Sequence, residues 1–191
     1  MSFGLPGKVL KAIGTIASND PTRENLNYVH ILPKEEKVLI EATNGRVACR
    51  LITSQSVANE CFIRREICLG LKAVDICVFT DTSFLAGQAT FPLVLKDDFE
   101  KKVKDQSNSK KYPDLDQVLP KKDVEFGIPA VDFACPVLLS VFKMIHALEP
   151  KYAIRFNFLP NRMMFMQVET AYGNLEVVVM GVTRVNCKLD L

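Results

Sequence analysis

Two small groups of side chains in this sequence are candidates for catalysis. Cys49, Cys135 and His146 supply a nucleophile and a base, and Asp114 with Asp116 form a close carboxylate pair. A thiol beside a histidine performs nucleophilic catalysis, and paired carboxylates perform acid–base catalysis. Neither group has a nucleophile elbow, a glycine-rich phosphate loop or a metal-binding pattern around it. The sequence therefore predicts a protein that is not an enzyme, with the two aspartates in a polar linker.

Metal and cofactor sites have equally little support. The chain has six cysteines, none in a C-x-x-C pair, and only two histidines, His30 and His146. Most of the cysteines lie in apolar runs, so buried, reduced thiols of a cytosolic protein are expected, without a metal or a cofactor. Lys8 and Lys11 interrupt the N-terminal apolar residues, so no secretory signal is expected there. We therefore expect a cytoplasmic protein with no membrane partner.

The bulk composition fits a folded domain without a strong electrostatic preference. The 191 residues are 48% hydrophobic and 24% charged, and the formal net charge is +2. These values are ordinary for a globular protein, and overall basicity does not argue for nucleic-acid binding. A DNA-binding face would need an uneven distribution of the charges.

The first 53 residues predict one helix followed by three strands. Residues 5–18 place Leu5, Val9 and Ile13 on one helix face and the lysines on the other. The Asn44-Gly45 pair predicts a tight hairpin with positive φ at both turn positions. The strands are expected at 28–32, 37–43 and 46–53.

The rest of the chain is less regular in its middle and clearer at its end. We expect a strand at 62–69, a short helix or strand at 71–79, an edge or bulged strand at 88–95 containing Pro92, and a helix end running into a linker over 97–111. For the last third we expect a strand at 124–128, a helix at 133–148 capped by Asp132, and strands at 152–159, 163–169 and 175–182.

The order of these elements repeats. Residues 5–53 and 124–182 each contain a helix followed by three strands, and a short strand at 2–4 completes the first copy. Two β-α-β-β-β units in one chain predict an α+β fold with sheets outside and helices on one common face.

Three segments resemble the signature stretches of one protein family. Residues 42–48 read ATNGRVA, similar to A-T-D-G-H-R-L-A but one residue shorter and with Asn for Asp. Residues 112–120 read YPDLDQVLP and resemble F-P-D-Y-x-x-V-L-P, while residues 178–182 read VVMGV and resemble V-V-M-P-M. These are signature stretches of the bacterial-type DNA polymerase III β sliding clamp, and they occur in the order that this family has.

The resemblance implies a sliding-clamp fold and a processivity factor. Such a protein encircles double-stranded DNA as a homo-oligomeric ring and binds peptides of DNA polymerase and the clamp loader in a hydrophobic cleft. The positions that match this cleft are Thr43, Gly45, Arg46, Val47, Pro120, Val178, Met180 and Val182. In the alternative interpretation, Val178, Met180 and Val182 are simply one face of a core strand. The matching DNA-facing helix positions are Lys8, Lys11, Lys143 and His146, which touch phosphates without reading bases.

The departures from the family leave a second function open. The resemblance covers about residues 1–53 and 111–184 and fails over 54–110, which is a diverged half-domain or an insertion. We expect an N-terminal half-domain with this diverged segment at 1–110 and a C-terminal half-domain at 111–191 that includes the linker 111–122. The length indicates a reduced clamp of viral or mobile-element origin. The alternative function is a clamp-fold adaptor or mimic that binds replication proteins without encircling DNA.

Overall fold

The computed structural model describes residues 3–54, 59–104, 111–120, 133–151, 154–159 and 163–181. Its helices are α1 (Gly7–Gly14), α2 (Arg65–Gly70), α3 (Lys96–Lys104) and α4 (Cys135–Leu148). Its strands are β1 (Phe3–Pro6), β2 (Tyr28–Lys34), β3 (Lys37–Thr43), β4 (Val47–Thr53), β5 (Cys61–Arg64), β6 (Ile76–Phe79), β7 (Ser83–Ala86), β8 (Ala89–Pro92), β9 (Val94–Leu95), β10 (Arg155–Leu159), β11 (Met163–Thr170) and β12 (Gly173–Met180). Within those ranges no helix combines the length and the apolar character that a membrane span needs.

The first 53 residues form the predicted unit with a shorter helix. The short N-terminal strand is confirmed as β1, and it includes Leu5, which the helix prediction had placed in α1. Pro6 has extended dihedral angles (φ −60°, ψ 136°) and stands just before the first helical residue. Because Pro6 ends the strand in an extended conformation, the helix begins at Gly7.

The hairpin between β3 and β4 is present, but its turn differs from the predicted one. Only Gly45 has a positive φ, of 82°. The amide of Asn44 donates to the carbonyl of Val47, and the Asn44 side chain accepts from the amides of Arg46 and Val47. The turn is therefore centred on Gly45 and Arg46, with glycine at the first central position as in a type II′ turn.

Residues 61–92 form a second, smaller unit of the same element order. The strand predicted at 62–69 is wrong in its second half, because β5 ends at Arg64 and α2 follows at once. The stretch 71–79 contains strand β6. The strand predicted at 88–95 is two strands, β8 and β9, and Pro92 ends β8 at the edge of its sheet.

The two units exchange their first strands. β1 pairs with β6, and β5 pairs with β2, both antiparallel. A four-stranded sheet with the order β1-β6-β7-β8 results, beside a larger sheet that begins with β9, β5, β2, β3 and β4. Helices α1 and α2 contact one another at this junction.

The last part of the chain extends the larger sheet. α4 begins at Cys135 with Ala134 at its N-cap, so the helix prediction was two residues early. Asp132 and the strand predicted at 124–128 lie outside the described residues. β12 pairs antiparallel with β4, with Val178 opposite Ala48, and this pairing completes an eight-stranded sheet.

The large sheet separates two layers. Helices α1 and α4 contact each other on one face, where the main core includes Val9, Ile13, Val141 and Ile145. The opposite face is covered by α3 and by residues 111–120, here called the linker segment. The predicted α+β class is confirmed for the described residues. α1 and α4 share one face of the large sheet as predicted, whereas α3 lies on the opposite face because its Phe99 packs on Tyr28 and Phe62.

Candidate functional site

The linker segment packs an apolar strip onto the outer face of the large sheet. Leu115 and Leu119 are 1% and 6% exposed, and Val118 packs beside them. They contact sheet side chains that face away from α1 and α4, because successive side chains of a strand alternate between its two faces. These sheet residues are Ala48, Leu159, Phe165 and Val178, with Met163 at the margin.

The hairpin and the end of β12 meet beside this strip. The amide of Met180 donates to the carbonyl of Arg46 over 2.9 Å. The Thr43 hydroxyl donates to the Val47 carbonyl over 2.8 Å and accepts from the Gly45 amide over 3.1 Å. Met180 is half exposed and Arg46 is exposed, so this corner combines an accessible thioether with a cation.

Seven of the eight predicted cleft residues lie in the described part of the chain, and they fall into three groups. Thr43, Gly45, Arg46, Val178 and Met180 lie together at the corner just described, with Val178 buried beneath the linker segment and Met180 outside it. Pro120 is half-buried at the end of the linker segment. Val47 is 1% exposed in the main core, on the helix side of the sheet, so its side chain does not face the linker segment. Val182 lies outside the described residues.

Ion pairs attach the linker segment to the sheet. Asp116 accepts from Arg50 over 2.6 Å and from Lys34 over 2.9 Å. Arg50 also donates through its Nε to Glu41 over 2.6 Å. The side chains of Glu41 and Arg50 are 2% and 9% exposed, whereas Asp116 is half exposed. The two pairs with Asp116 lower the pKa of its carboxyl.

His30 joins the same network from β2. Its Nδ1 lies 3.0 Å from Glu41 and its Nε2 lies 3.0 Å from Glu60. A carboxylate only accepts, so an imidazolium with two N–H donors satisfies both contacts. Burial by itself lowers the pKa of His30, but hydrogen bonds to the two carboxylates outweigh it, and the pKa is raised. His30 and then Lys96 lower the pKa of Glu60 to about 2.

An aromatic cavity adjoins this network on the flank of the linker segment away from Met180. The rings of His30, Phe62 and Phe99 stack at centroid distances of 4.5 and 3.9 Å. Tyr112 tilts across the stack, and the cavity beside it has a volume of about 340 Å³. The Tyr112 hydroxyl is buried and has no hydrogen-bond partner among the described residues, and burial raises its pKa. The charged groups here largely pair with one another, which favours a structural role.

The helix face carries the predicted DNA-facing residues. Lys143 and His146 are exposed on α4, and Lys11 is exposed on α1 with its Nζ donating to the Leu71 carbonyl over 3.3 Å. Lys8 is half-buried, and its ammonium lies 4.9 Å from the centre of the Tyr172 ring. Neither α1 nor α4 contains an acidic residue, so this layer is locally basic although the chain is nearly neutral.

The thiols and the imidazole considered for catalysis are not brought together. Cys49 is fully buried in the main core, while Cys135 and His146 are exposed and separated by three turns of α4, about 16 Å along the axis. The exposure of Cys135 also corrects the expectation of buried thiols, which holds for Cys49, Cys61, Cys68 and Cys77. Among the described residues no group of three or more His, Cys, Asp or Glu side chains could hold a metal ion.

The sequence interpretation missed the contacts that hold the linker segment. Leu115, Val118 and Leu119 are spaced three and four apart, a spacing that places apolar side chains on one side of a short helical turn. Alternation in β4 puts Ala48 and Arg50 on the same face. Together these two patterns carried a usable signal for the contact between the linker segment and the sheet.

No protein-family model matches the chain, and no curated protein matches it. Solved structures do match. DNA polymerase III subunit beta from Borrelia burgdorferi, solved in complex with a natural product, has a TM-score of 0.60 at 13% identity and covers 96% of this chain and 63% of that one. The sliding clamp of Bacillus subtilis has a TM-score of 0.62 at 12% identity, over 96% of this chain and 64% of that one. PCNA of A. fulgidus, solved with the C-terminal region of FEN-1 bound, has a TM-score of 0.62 at 9% identity, over 97% and 99%.

The chain therefore has the sliding-clamp fold, as the signature segments implied. It spans less than two thirds of the length of the two bacterial clamps. At identities of 9% to 13% the likeness establishes the fold, and the function has to be argued from this chain's own residues.

Proposed function

We propose that this chain is a DNA sliding clamp, a processivity factor that encircles duplex DNA as a homo-oligomeric ring and binds partner peptides beside its linker segment. The observation that carries the proposal is the two-sided character of the large sheet. One face holds α1 and α4, neither of which contains an acidic residue, and the other holds the corner with half-exposed Met180 next to the linker segment. The activity needs no reacting residue, since enclosure of the DNA and peptide capture suffice.

The peptide-binding part of the proposal centres on Met180. Its flexible, polarisable side chain suits apolar anchors of varied shape, and the strip beneath the linker segment continues the apolar surface. Thr43, Gly45 and Arg46 form the opposite wall, with the Arg46 guanidinium at the rim. Val178 and Pro120 support the floor, and Val182 is proposed for the same region from the sequence alone.

The DNA-binding part rests on the helix layer. Lys11, Lys143 and His146 are exposed there, and Lys8 lies half-buried beside Tyr172. Phosphate contacts from a few lysines are weak and sensitive to salt, which allows a protein to move along the duplex. In this proposal enclosure by the ring, and not affinity, keeps the protein on DNA.

The domain division is part of the proposal. We place an N-terminal half-domain with its diverged segment at 1–110 and a C-terminal half-domain at 111–191, with the linker 111–122 in the latter. We expect the protein to act in the cytoplasm. The competing function is a clamp-fold adaptor that binds replication proteins without enclosing DNA. The small net charge of +2 favours that alternative, and the same experiment separates the two.

A charge-reversal pair tests the proposal on DNA. Lys143→Glu on the helix face should weaken association with a duplex and lower the slope of log K against log salt by about one per lost contact. Lys37→Glu makes the same change at an exposed position that begins β3, and it should leave both quantities unchanged. If the wild-type protein does not associate with duplex DNA at low salt but still binds peptides, the adaptor function is favoured.

A further inference from the structure

The aromatic cavity beside Tyr112 is large enough for a ligand that the proposed function does not use. Its volume of about 340 Å³ lies in the range of small-molecule sites, and every residue that lines it belongs to the described part of the chain. Phe62, Phe99 and Leu115 contribute apolar walls. The cavity lies on the flank of the linker segment away from Met180, so it is separate from the proposed peptide-binding corner.

The charges inside this cavity do not balance. Three of its carboxylates are buried or half-buried against two buried cations, and these groups are Glu41, Glu60 and Glu100 against His30 and Arg50. The other charged residues of the lining are exposed, and in this set two lysines offset two aspartates (Lys96, Lys111, Asp114 and Asp116). The inner part of the cavity therefore keeps one negative charge in excess even when His30 is protonated.

Glu100 of α3 carries this excess. Glu41 and Glu60 are each hydrogen-bonded to two cationic side chains. Glu100 makes no hydrogen bond or ion pair with another described residue, and Lys96, one helical turn before it, is engaged by Glu60 over 2.9 Å. A carboxylate that is partly removed from water without a partner is costly, so a cation that reaches Glu100 through the cavity would be stabilised there.

The walls of the cavity suit a cation on a short apolar stem. Phe62, Phe99 and Leu115 offer apolar contact for an alkyl chain, and the ring of Tyr112 offers a π-system that attracts a positive head group. An anionic ligand would instead meet Glu60 and Glu100 as like charges, which disfavours it. An alkyl chain that ends in an ammonium or a guanidinium combines the two properties that the lining favours.

We propose that this cavity binds an alkylammonium or alkylguanidinium group, with Glu100 as its counter-ion and Phe62, Phe99 and Leu115 around its stem. The lysine or arginine side chain of a partner protein and a free polyamine share this chemistry. The site adds a ligand to the chain beyond DNA and partner peptides at the Met180 corner, and it does not depend on ring formation.

Ligand-detected NMR on the full chain tests the site with n-butylguanidinium as the probe. Saturation transfer from the protein should reach the butyl protons, and a titration gives the dissociation constant. n-Butylurea has nearly the same shape without the charge and should bind about tenfold more weakly, because it lacks the charge-assisted hydrogen bond to Glu100. Equal affinity for the two compounds, or no saturation transfer to n-butylguanidinium at millimolar concentration, would overturn the proposal.

Two substitutions in the lining place the probe by their opposite effects. Glu100→Gln keeps the shape of the side chain and should weaken binding of n-butylguanidinium about tenfold. Lys111→Gln removes an exposed competing cation and should strengthen binding about twofold. The matched control Asp97→Asn removes an exposed carboxylate of α3 outside the lining and should leave the affinity unchanged. An equal loss in Glu100→Gln and Asp97→Asn would show general attraction of the probe to acidic side chains and contradict the site.

Two further probes separate the sources of the ligand. If N-acetylarginine methylamide binds as tightly as n-butylguanidinium, the site is assigned to a side chain of a partner protein. If putrescine binds and the capped arginine does not, the site is assigned to a free amine. Loss of DNA and peptide binding in a chain that still binds n-butylguanidinium through Glu100 would count against the proposed function alone.

Discussion

Replacing Arg50 by methionine should expose how strongly the sheet depends on its buried ion pair. The Arg50 side chain is 9% exposed and lies between Glu41, which is 2% exposed, and Asp116 of the linker segment. Methionine keeps most of the apolar stem, so the loss is mainly electrostatic. Removing one partner of a buried pair costs about 3–5 kcal/mol, and although His30 stays 3.0 Å from Glu41, its one contact does not replace the two that Arg50 makes through Nε and Nη2. We therefore expect Arg50→Met to lower the free energy of unfolding by about that amount, and the melting temperature by roughly 6–20 °C.

Asp116→Asn is the matched control because it removes the charge of the second carboxylate that pairs with Arg50. Asp116 is half exposed, so solvent screens its pairs with Arg50 and Lys34, and the loss should stay below about 1 kcal/mol. Urea titration followed by circular dichroism measures both variants. The reasoning is refuted if Arg50→Met unfolds within about 1 kcal/mol of the wild type, or if Asp116→Asn costs as much as Arg50→Met.

Three further predictions address peptide binding, pH dependence and helix packing. Met180→Asp should abolish binding of a peptide selected from a random phage library on the wild-type protein, while melting stays unchanged; binding at wild-type affinity would show that the cleft lies elsewhere. Because folding raises the pKa of His30 above 6.5, its ion pairs should stabilise the fold fully below pH 6.5 and lose this effect as the pH rises through the pKa of the folded state. His30→Gln should flatten this part of the plot of unfolding free energy against pH. An equal slope in both proteins would contradict the role given to His30. Gly14→Val should lower stability by about 1–3 kcal/mol, because its Cβ meets Cys68 at 2.7 Å, and an unchanged melting temperature would disprove the close contact.

Local pattern was sufficient to predict the first unit. The alternation in β3 and the Asn44-Gly45 signal placed the hairpin correctly, although the turn centre moved by one residue because the Asn44 side chain replaces a backbone acceptor. The signature segments supplied the fold, which the solved clamps then supported. The order of the elements and the periodicity of apolar residues were sufficient for this prediction because the hairpin contacts join residues that are close in sequence.

The second unit and the linker contacts needed tertiary information. α2 is only six residues long, and its sequence REICLG has no helical period of its own, so packing of Cys68 against Gly14 decides its conformation. Arg50 and Asp116 are 66 positions apart, and no local sequence pattern in either segment predicts that the two side chains pair. Burial of Val47 away from the cleft follows from strand alternation, but the family pattern had grouped it with its hairpin neighbours.

Retention on closed and open DNA tests the central claim most directly. The protein would be bound at low salt to a covalently closed circular plasmid and to the same plasmid cut once, and its dissociation followed after a shift to high salt, where phosphate contacts are weak. A ring should remain on the circle and leave the linear DNA through its ends. Equal loss from both forms would contradict enclosure of the duplex and leave the protein as a clamp-fold binder of replication partners.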